Sequence, residues 1–215
     1  MTNLISCCQY IFNFEFWGHL FSTLKIFSIG LFVSYSICFL LIYLGYISKV
    51  CHKIIHGAVL FLQPIPRIVV FPLLLLFFGI NDFARVGLIA IGLVFSNYLI
   101  LDAVVTDLKN SPLVRIVEVY KVSSFKYLYF YYVRGSLSAF LATYKNSVGY
   151  GLTLAIIAES SFSNRGLGYL IWRHWERYEM LELYLVILAI CSLAIAMNLI
   201  PQFFRIFFGL IRSEK

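Results

Sequence analysis

Long apolar runs alternate with short polar stretches along most of the chain. Each run approaches the roughly 20 residues that an α-helix needs to cross a bilayer. The pattern therefore predicts an all-α, polytopic helical membrane protein with about five transmembrane helices. The predicted spans are Ile26–Ile47, Gly57–Ile80 with an interruption at QPIPR, Val86–Val105, Gly135–Ala158 and Leu183–Ile211.

The composition also indicates a membrane protein. Of the 215 residues, 61% are hydrophobic and 13% are charged, whereas about 25% of the residues in a soluble domain are charged. We divide the chain into an N-terminal interfacial segment over residues 1–19, a transmembrane domain over residues 20–211 and a cytoplasmic tail over residues 212–215. The first 17 residues lack a basic region and a small-residue cleavage site, so no removable signal peptide is expected.

The basic residues predict the orientation in the membrane. With five spans, nine of them fall on one side: Lys49, Lys53, Lys109, Arg115, Lys121, Lys126, Arg134, Arg212 and Lys215. The other side holds Lys25, Arg85, Arg165, Arg173 and Arg177. Because cytoplasmic loops are enriched in Lys and Arg, we expect the N-terminus outside and the C-terminus in the cytoplasm. The net charge of +7 is thereby explained without nucleic acid as a partner.

The longest predicted cytoplasmic segment is basic and rich in tyrosine. It contains RIVEVYKVSSFKYLYFYYVRG, Arg115–Gly135, and it starts as a helix would, with Ser111 as N-cap and Pro112 at the first helical position. Two interpretations stay open on these residues alone. The segment is either an interfacial helix held by lipid headgroups or a docking helix for a cytoplasmic partner, since Tyr and Arg are favoured anchors at protein interfaces.

Polar residues inside the predicted spans are candidates for a translocation pathway, because charge within a bilayer is costly and usually functional. Lys145 and Asn146 lie near the middle of the fourth span, and Asn97 lies in the third. Lys145 either meets an anionic substrate or forms a structural ion pair, for example with Asp102. Arg67 follows two prolines, where it either caps freed carbonyl groups or lines a cavity.

Metal binding is not predicted. His52 and His56 are spaced as zinc ligands on one helix face, but no third ligand is nearby in sequence, so an interfacial basic cluster is the favoured interpretation. Neither disulfides nor a cysteine metal cluster is expected. The cysteines are Cys7, Cys8, Cys38, Cys51 and Cys191.

No catalytic motif was found, and the chain is expected not to be an enzyme. A Walker phosphate-binding loop is missing from the sequence, so the chain is not expected to hydrolyse nucleotide. His174 lies in the aromatic stretch WRHWERYEMLE. This stretch is interpreted as an interfacial aromatic belt or as a docking surface for an external partner.

The downstream half resembles the permease domain of binding-protein-dependent ABC importers, especially the nitrate, sulfonate and taurine branch. The stretch GYGLTLAIIAESSFSNRGLGYLIW matches that family through Gly149, Glu159, Gly166 and Gly168. Lys145 stands where the family commonly has a basic residue. Upstream, further matching positions are Pro64, Pro66, Pro72, Gly79 and Ile80.

The resemblance implies that residues 106–134 form the coupling loop that docks on a cytoplasmic ATPase. The expected docking residues are Pro112, Arg115, Glu118, Tyr120, Lys121, Ser123 and Ser124. The loop departs from the family pattern E-A-A-x-x-x-G, because Val119 and Tyr120 replace the two alanines and Ser124 stands at the glycine spacing.

The resemblance also implies the partners. They are cytoplasmic ATP-binding subunits, a second permease chain in a homodimer or heterodimer, an extracytoplasmic solute-binding protein and membrane lipid. No cofactor is expected in this chain, since ATP and Mg would be held by the ATPase. The expected location is the bacterial plasma (inner) membrane. Resemblance to this branch favours small organic or inorganic anions or vitamin precursors as substrates, without identifying one. The alternative function is a non-ATP-driven channel or a membrane scaffold subunit.

Overall fold

The computed structural model describes residues 14–110 and 134–207. All regular structure in these two ranges is helical, which confirms the predicted all-α membrane fold. The helices are α1 Phe14–Ile47, α2 Lys49–Leu62, α3 Phe71–Phe78, α4 Asp82–Asn110, α5 Arg134–Phe162, α6 Leu167–Glu176 and α7 Met180–Phe207, with a 3₁₀ turn at Arg67–Val70.

Three helices, α1, α4 and α7, are long and apolar enough to cross a membrane. The α2 helix and the segment Arg67–Phe78, which comprises the 3₁₀ turn and α3, form a bent pair that counts as a fourth span when taken together. The predicted fourth span, Gly135–Ala158, falls within α5. This helix has 29 residues and measures about 43 Å, more than the roughly 30 Å hydrocarbon core. The α5 helix is less apolar than α1, α4 and α7 because one of its faces is polar.

Two helices, α1 and α2, start eight or more residues earlier than the predicted spans. The α1 helix begins at Phe14, inside the segment predicted to be interfacial, and it has 34 residues. Its length of about 51 Å exceeds the hydrocarbon core, so its first turns can extend beyond the bilayer interior. The α2 helix begins at Lys49, earlier than the predicted Gly57. The Ser48 side chain caps it by accepting a hydrogen bond from the Cys51 backbone N–H at 3.4 Å.

The break in the second span is caused by proline. Pro64 and Pro66 lack a backbone N–H and restrict the residue before them, so the helical hydrogen-bond ladder cannot continue through them. The chain bends by 98° between α2 and the segment Arg67–Phe78. Pro72 lies in the first turn of α3, where proline is tolerated. The predicted interruption at QPIPR is thus a sharp change of direction.

Close packing of α1, α4 and α5 forms the centre of the molecule. A Cβ atom on Gly30 of α1 would lie 2.7 Å from Ile89 of α4, and one on Gly151 of α5 would lie 2.8 Å from Phe27 of α1. Small residues at such positions let helix backbones approach each other in membranes. The outward surfaces of α1 and α7 are apolar, with Phe32 and Leu188 among the exposed side chains.

Candidate functional site

Arg67 lies at the break in the second span and contacts two long helices. Its Nη1 donates a hydrogen bond to the Tyr150 hydroxyl of α5 at 3.1 Å, and its Nη2 donates to Ser96 Oγ of α4 at 3.1 Å. The guanidinium carbon lies 5.1 Å from the centre of the Tyr150 ring, within cation–π range. Ser96 and Tyr150 both lie near the middle of their helices. A half-buried cation is therefore held at the centre of the bundle.

These hydrogen bonds bear on one of the two roles predicted for Arg67, and its pathway role stays a prediction. One predicted role was capping of the carbonyl groups freed by the prolines. Instead, the hydrogen bonds of Arg67 to the described residues go to side chains of neighbouring helices. The chain bends by 98° between α2 and the segment that begins at Arg67, so Arg67 does not continue the axis of α2.

Asn97 is buried between α4 and α5. It accepts a hydrogen bond at its Oδ1 from Ser147 Oγ at 2.9 Å, and both side chains are fully buried. The Asn97 Nδ2 has no hydrogen-bond partner within residues 14–110 and 134–207. Within the single chain, Asn97 therefore packs α4 against α5. A pathway role for Asn97 stays a prediction.

Lys145 and Asn146 belong to an exposed polar face of α5. This face recurs every three or four residues and comprises Ala142, Lys145, Asn146, Gly149 and Thr153, all of which are exposed. A Cβ atom on Gly149 would meet no other group within 4 Å. The face is small and polar, whereas the exposed surfaces of α1 and α7 are apolar. We refer to these five residues as the α5 polar face.

The ion pair considered between Lys145 and Asp102 is not formed. Asp102 is buried and contacts two histidines of α2. Its carboxylate Oδ1 lies 3.0 Å from His52 Nε2, and its Oδ2 lies 3.0 Å from His56 Nδ1. The packing of α2 against α4 brings these three groups together.

Glu159 at the end of α5 joins three helices. Its side chain is fully buried. Its Oε2 accepts hydrogen bonds from Thr23 Oγ1 of α1 at 2.8 Å and from the Gly168 backbone N–H at the start of α6 at 3.0 Å. A carboxylate at a helix N-terminus satisfies free N–H groups and interacts favourably with the helix dipole.

Two side chains of α1, His19 and Thr23, complete this cap of α6. The Gly166 backbone N–H donates to His19 Nδ1 at 3.0 Å, and the Leu167 N–H donates to Thr23 Oγ1 at 2.8 Å. Sequence reasoning did not identify His19 and Thr23 as site residues. Their spacing of four residues on one face of an apolar helix was the available signal.

The close contact between Glu159 and the start of α6 requires glycine at positions 166 and 168. Gly166 has a φ of 110°, and a Cβ atom there would collide with the Glu159 carboxylate. A Cβ atom on Gly168 would collide with the Ile156 carbonyl oxygen. Three of the four predicted motif residues, Glu159, Gly166 and Gly168, therefore form one structural unit, while Gly149 lies apart on the α5 polar face.

A cavity of about 500 Å³ opens beside this unit, at the end of the bundle where α1 starts. Its charged lining residues are Lys25, Asp82, Arg85 and Arg165. The Asp82 carboxylate lies 2.9 Å from Arg85 Nη1 and 3.9 Å from Lys25 Nζ. With three cations and one anion, the lining is net positive.

His174 lies inside the protein and not on the surface of the aromatic stretch. It is buried, and its Nδ1 lies 2.6 Å from the Glu179 carboxylate. This hydrogen bond lowers the pKa of Glu179. The contact closes the turn between α6 and α7, where Tyr178 has a φ of 59°. His174 thus stabilises the turn from the last residues of α6, while Trp172 and Trp175 are exposed.

The predicted docking residues Pro112, Arg115, Glu118, Tyr120, Lys121, Ser123 and Ser124 lie outside the described residues. On either side of these residues, the described chain stops at Asn110, the last residue of α4, and resumes at Arg134, the first residue of α5. These helix ends are at the opposite end of the bundle from the Glu159 cap. The segment thus connects two central helices that pack against each other.

The long apolar helices define a multi-pass α-helical membrane protein, and a cation lies at their centre. Residues 38–209 match the family of binding-protein-dependent transport system inner membrane components. The chain belongs to this family and is a permease subunit of the ABC importer class, which confirms the resemblance found in the sequence.

A curated relative supports the same assignment. The chain is 24% identical over 149 residues to the "Putative aliphatic sulfonates transport permease protein SsuC" of Escherichia coli (strain K12). The match covers 69% of this chain and 55% of that protein, so the chain spans about half the length of the relative.

Proposed function

We propose that the α5 polar face and Arg67 line the pathway of an ATP-driven importer for a small anion, at the contact with a second permease chain. The observation that carries this proposal is the exposure of Lys145 and Asn146 on a helix at the centre of the fold. A lysine facing lipid at mid-membrane costs roughly 2.5–3.5 kcal/mol on insertion scales. Facing a water-filled pathway or a second chain removes this cost.

The shape of the face supports a contact between chains. Ala142, Gly149 and Thr153 are small, and small residues allow helices to approach closely in membranes. A second permease chain, identical or different, would cover part of the face and leave Lys145 and Asn146 along the pathway between the two chains. Membrane lipid would contact the apolar surfaces of α1 and α7.

The charges favour an anionic substrate. Arg67 places a guanidinium at the centre of the bundle, and Lys145 adds an ammonium group on the α5 polar face. Guanidinium groups match the geometry of sulfonate-like and carboxylate oxygens. The name of the Escherichia coli relative refers to aliphatic sulfonates. We therefore infer an organic sulfonate or a similar anion as the substrate class.

Coupling to ATP is assigned to residues 106–134. In the proposed orientation, with the N-terminus outside, this segment is cytoplasmic and connects the ends of α4 and α5. Docking on ATP-binding subunits would transmit their closure to the two helices that hold Ser96 and Tyr150. ATP and Mg would be bound by those subunits, and nucleotide binding would shift the permease between inward- and outward-open states.

The opposite end of the bundle is assigned to the solute-binding protein. The cavity beside Lys25, Arg85 and Arg165 would then face outward, with a net positive lining. A positive opening raises the local concentration of an anion and accelerates its arrival. The exposed Trp172 and Trp175 offer large aromatic contacts near the same end.

Cysteine accessibility tests the proposed pathway. Single cysteines are introduced at Lys145, Asn146 and Thr153 in a variant whose five natural cysteines are replaced. The matched controls are Leu188→Cys and Ile195→Cys, both at exposed apolar positions of α7. In membranes that contain the assembled importer, a membrane-impermeant thiol reagent should modify the α5 positions and not the controls. Equal protection of both sets would contradict a pathway role for the α5 polar face.

Transport assays test the substrate class and the energy source. Lys145→Ala should reduce uptake of an aliphatic sulfonate by at least about tenfold, since a hydrogen bond to a charged group contributes roughly 1.5–3 kcal/mol. Lys49→Ala, an exposed change at the start of α2, serves as the control. Removal of the ATP-binding subunit should abolish uptake. Uptake that continues without it would support the channel alternative.

A further inference from the structure

A cluster of three possible metal ligands joins α2 to α4. His52 and His56 lie one turn apart on α2, and their rings stack with centres 5.6 Å apart. The ligand atoms of His52, His56 and Asp102 all lie within 4.8 Å of one another. The closest pairs are His52 Nε2 with Asp102 Oδ1 at 3.0 Å and His56 Nδ1 with Asp102 Oδ2 at 3.0 Å.

The chemistry and spacing of these atoms suit zinc. Two imidazole nitrogens and one carboxylate oxygen form a common set of three protein ligands, which leaves the fourth position for water. Zinc–ligand distances of about 2.0–2.2 Å in tetrahedral geometry separate ligand atoms by about 3.3–3.5 Å. The nitrogen–oxygen contacts therefore need to lengthen by only about 0.3–0.5 Å. Small side-chain rotations can supply this change.

The cluster is closed on the side of Asp102 and open to solvent on the side of the two histidines. The Asp102 side chain is 7% exposed, whereas His52 and His56 are 37% and 39% exposed. An ion can reach the histidines from solvent while the carboxylate stays fixed between the helices. A buried carboxylate needs strong compensation, and a bound divalent cation supplies it.

A fourth side chain points to a further ligand beside the cluster. Tyr98 lies one turn before Asp102 on α4, and its ring centre is 6.4 Å from that of His56. Tyr98 is fully buried, and its hydroxyl has no hydrogen-bond partner within the described parts of the chain. Water bound to a metal ion is a group that such a hydroxyl could contact.

We propose that His52, His56 and Asp102 bind one divalent transition-metal ion, with zinc as the best match. The basic neighbours Lys49 and Lys53 are exposed, so solvent and salt screen their repulsion of the ion. The ion would fix α2 to α4 at the end of the bundle predicted to be cytoplasmic, next to the start of segment 106–134. The binding site itself does not depend on the proposed transport function.

Cobalt(II) absorption tests this proposal, because cobalt occupies zinc sites and its visible bands report coordination. The purified full-length chain in detergent is titrated with cobalt(II) and then with zinc(II). We expect one cobalt ion per chain with tetrahedral-type bands that zinc abolishes. Failure to bind either ion at micromolar concentrations would overturn the proposal. A strong thiolate charge-transfer band would also overturn it, since it would assign binding to cysteine, with exposed Cys51 the nearest candidate in sequence.

Matched variants identify the ligands. The double change His52→Gln and His56→Gln, and the single change Asp102→Asn, keep hydrogen-bonding groups of similar size while removing good ligands. Each should weaken zinc binding by at least about tenfold. Asp107→Asn, an exposed acid on the same helix as Asp102, should leave binding unchanged. Unchanged binding in the histidine variant would overturn the assignment, and its elution profile on size exclusion verifies that the variant is folded.

Discussion

Glu159 illustrates how a residue can be essential to the fold through its contacts with backbone groups. It is fully buried and accepts hydrogen bonds from Thr23 of α1 and from the first turn of α6. Its Oε1 has no hydrogen-bond partner among the described residues. The carboxylate depends on the N-terminus of α6 for compensation, which explains why Gly166 and Gly168 must let the backbone come close.

The motif glycines provide a matched test at this scale. Gly168→Ala should destabilise the purified chain by about 1–3 kcal/mol, the usual range for overpacking, because the new methyl group would collide with the Ile156 carbonyl oxygen. Gly149→Ala should cause no loss, since nothing lies within 4 Å of its Cβ position and Ala is favoured over Gly in helices by about 1 kcal/mol. Thermal unfolding in detergent measures both, and equal losses would contradict the described packing of α6.

At the level of elements, the broken second span has the clearest physical cause. Pro64 and Pro66 interrupt the ladder between α2 and the 3₁₀ turn, and Arg67 follows at once. The break therefore determines where the cation lies. A continuous helix would carry Arg67 past Ser96 and Tyr150, and the central polar group would be lost.

Replacing both prolines tests this dependence. Pro64→Ala together with Pro66→Ala should let α2 continue as a helix, because both N–H donors are restored. Spin labels at exposed Phe61 and Leu76 should then move apart toward the roughly 22 Å expected of 15 residues in a straight helix, as measured by pulsed electron resonance. Pro72→Ala is the control, since Pro72 already lies in a helical first turn. An unchanged distance in the double variant would show that tertiary packing alone maintains the bend.

The whole molecule has two ends with different chemistry. One end carries the Glu159 cap and a net positive cavity, and the other carries the His52, His56 and Asp102 cluster and the ends of α4 and α5. The central helices connect the two. This arrangement is what an importer subunit needs if a solute-binding protein acts at one end and ATP-binding subunits act at the other.

Co-purification tests the coupling assignment for the whole assembly. Tyr120→Asp together with Lys121→Asp should remove most of the ATP-binding subunit that is recovered with the tagged chain, because the change reverses charge in the proposed docking segment. Arg177→Asp, an exposed change near the opposite end, is the control and should retain it. Recovery of the same amount with both variants would contradict docking through this segment. Mass spectrometry of the wild-type sample would also show whether a second kind of permease chain is present.

Much of the fold was predictable because the bilayer restricts the choices. Apolar runs long enough to span the hydrocarbon core form helices, since no water is available there to satisfy the backbone. Within residues 14–110 and 134–207, each of the five predicted spans contains helix, the second is broken between α2 and α3, and α1 and α2 start well before the predicted spans. The α6 helix was not predicted as a helix, because its N-terminal cap comes from distant side chains of α1 and α5.

The sequence by itself determined the helical membrane class, the proline break and the family, because these follow from local hydropathy, backbone restriction and motif order. Only the tertiary structure decided which polar groups meet. Asp102 contacts histidines 46 and 50 residues away in sequence, and Gly166 contacts His19 across 147 residues. Such pairs depend on how the helices pack against each other, and the spacing of residues along one helix carries no information about its neighbour.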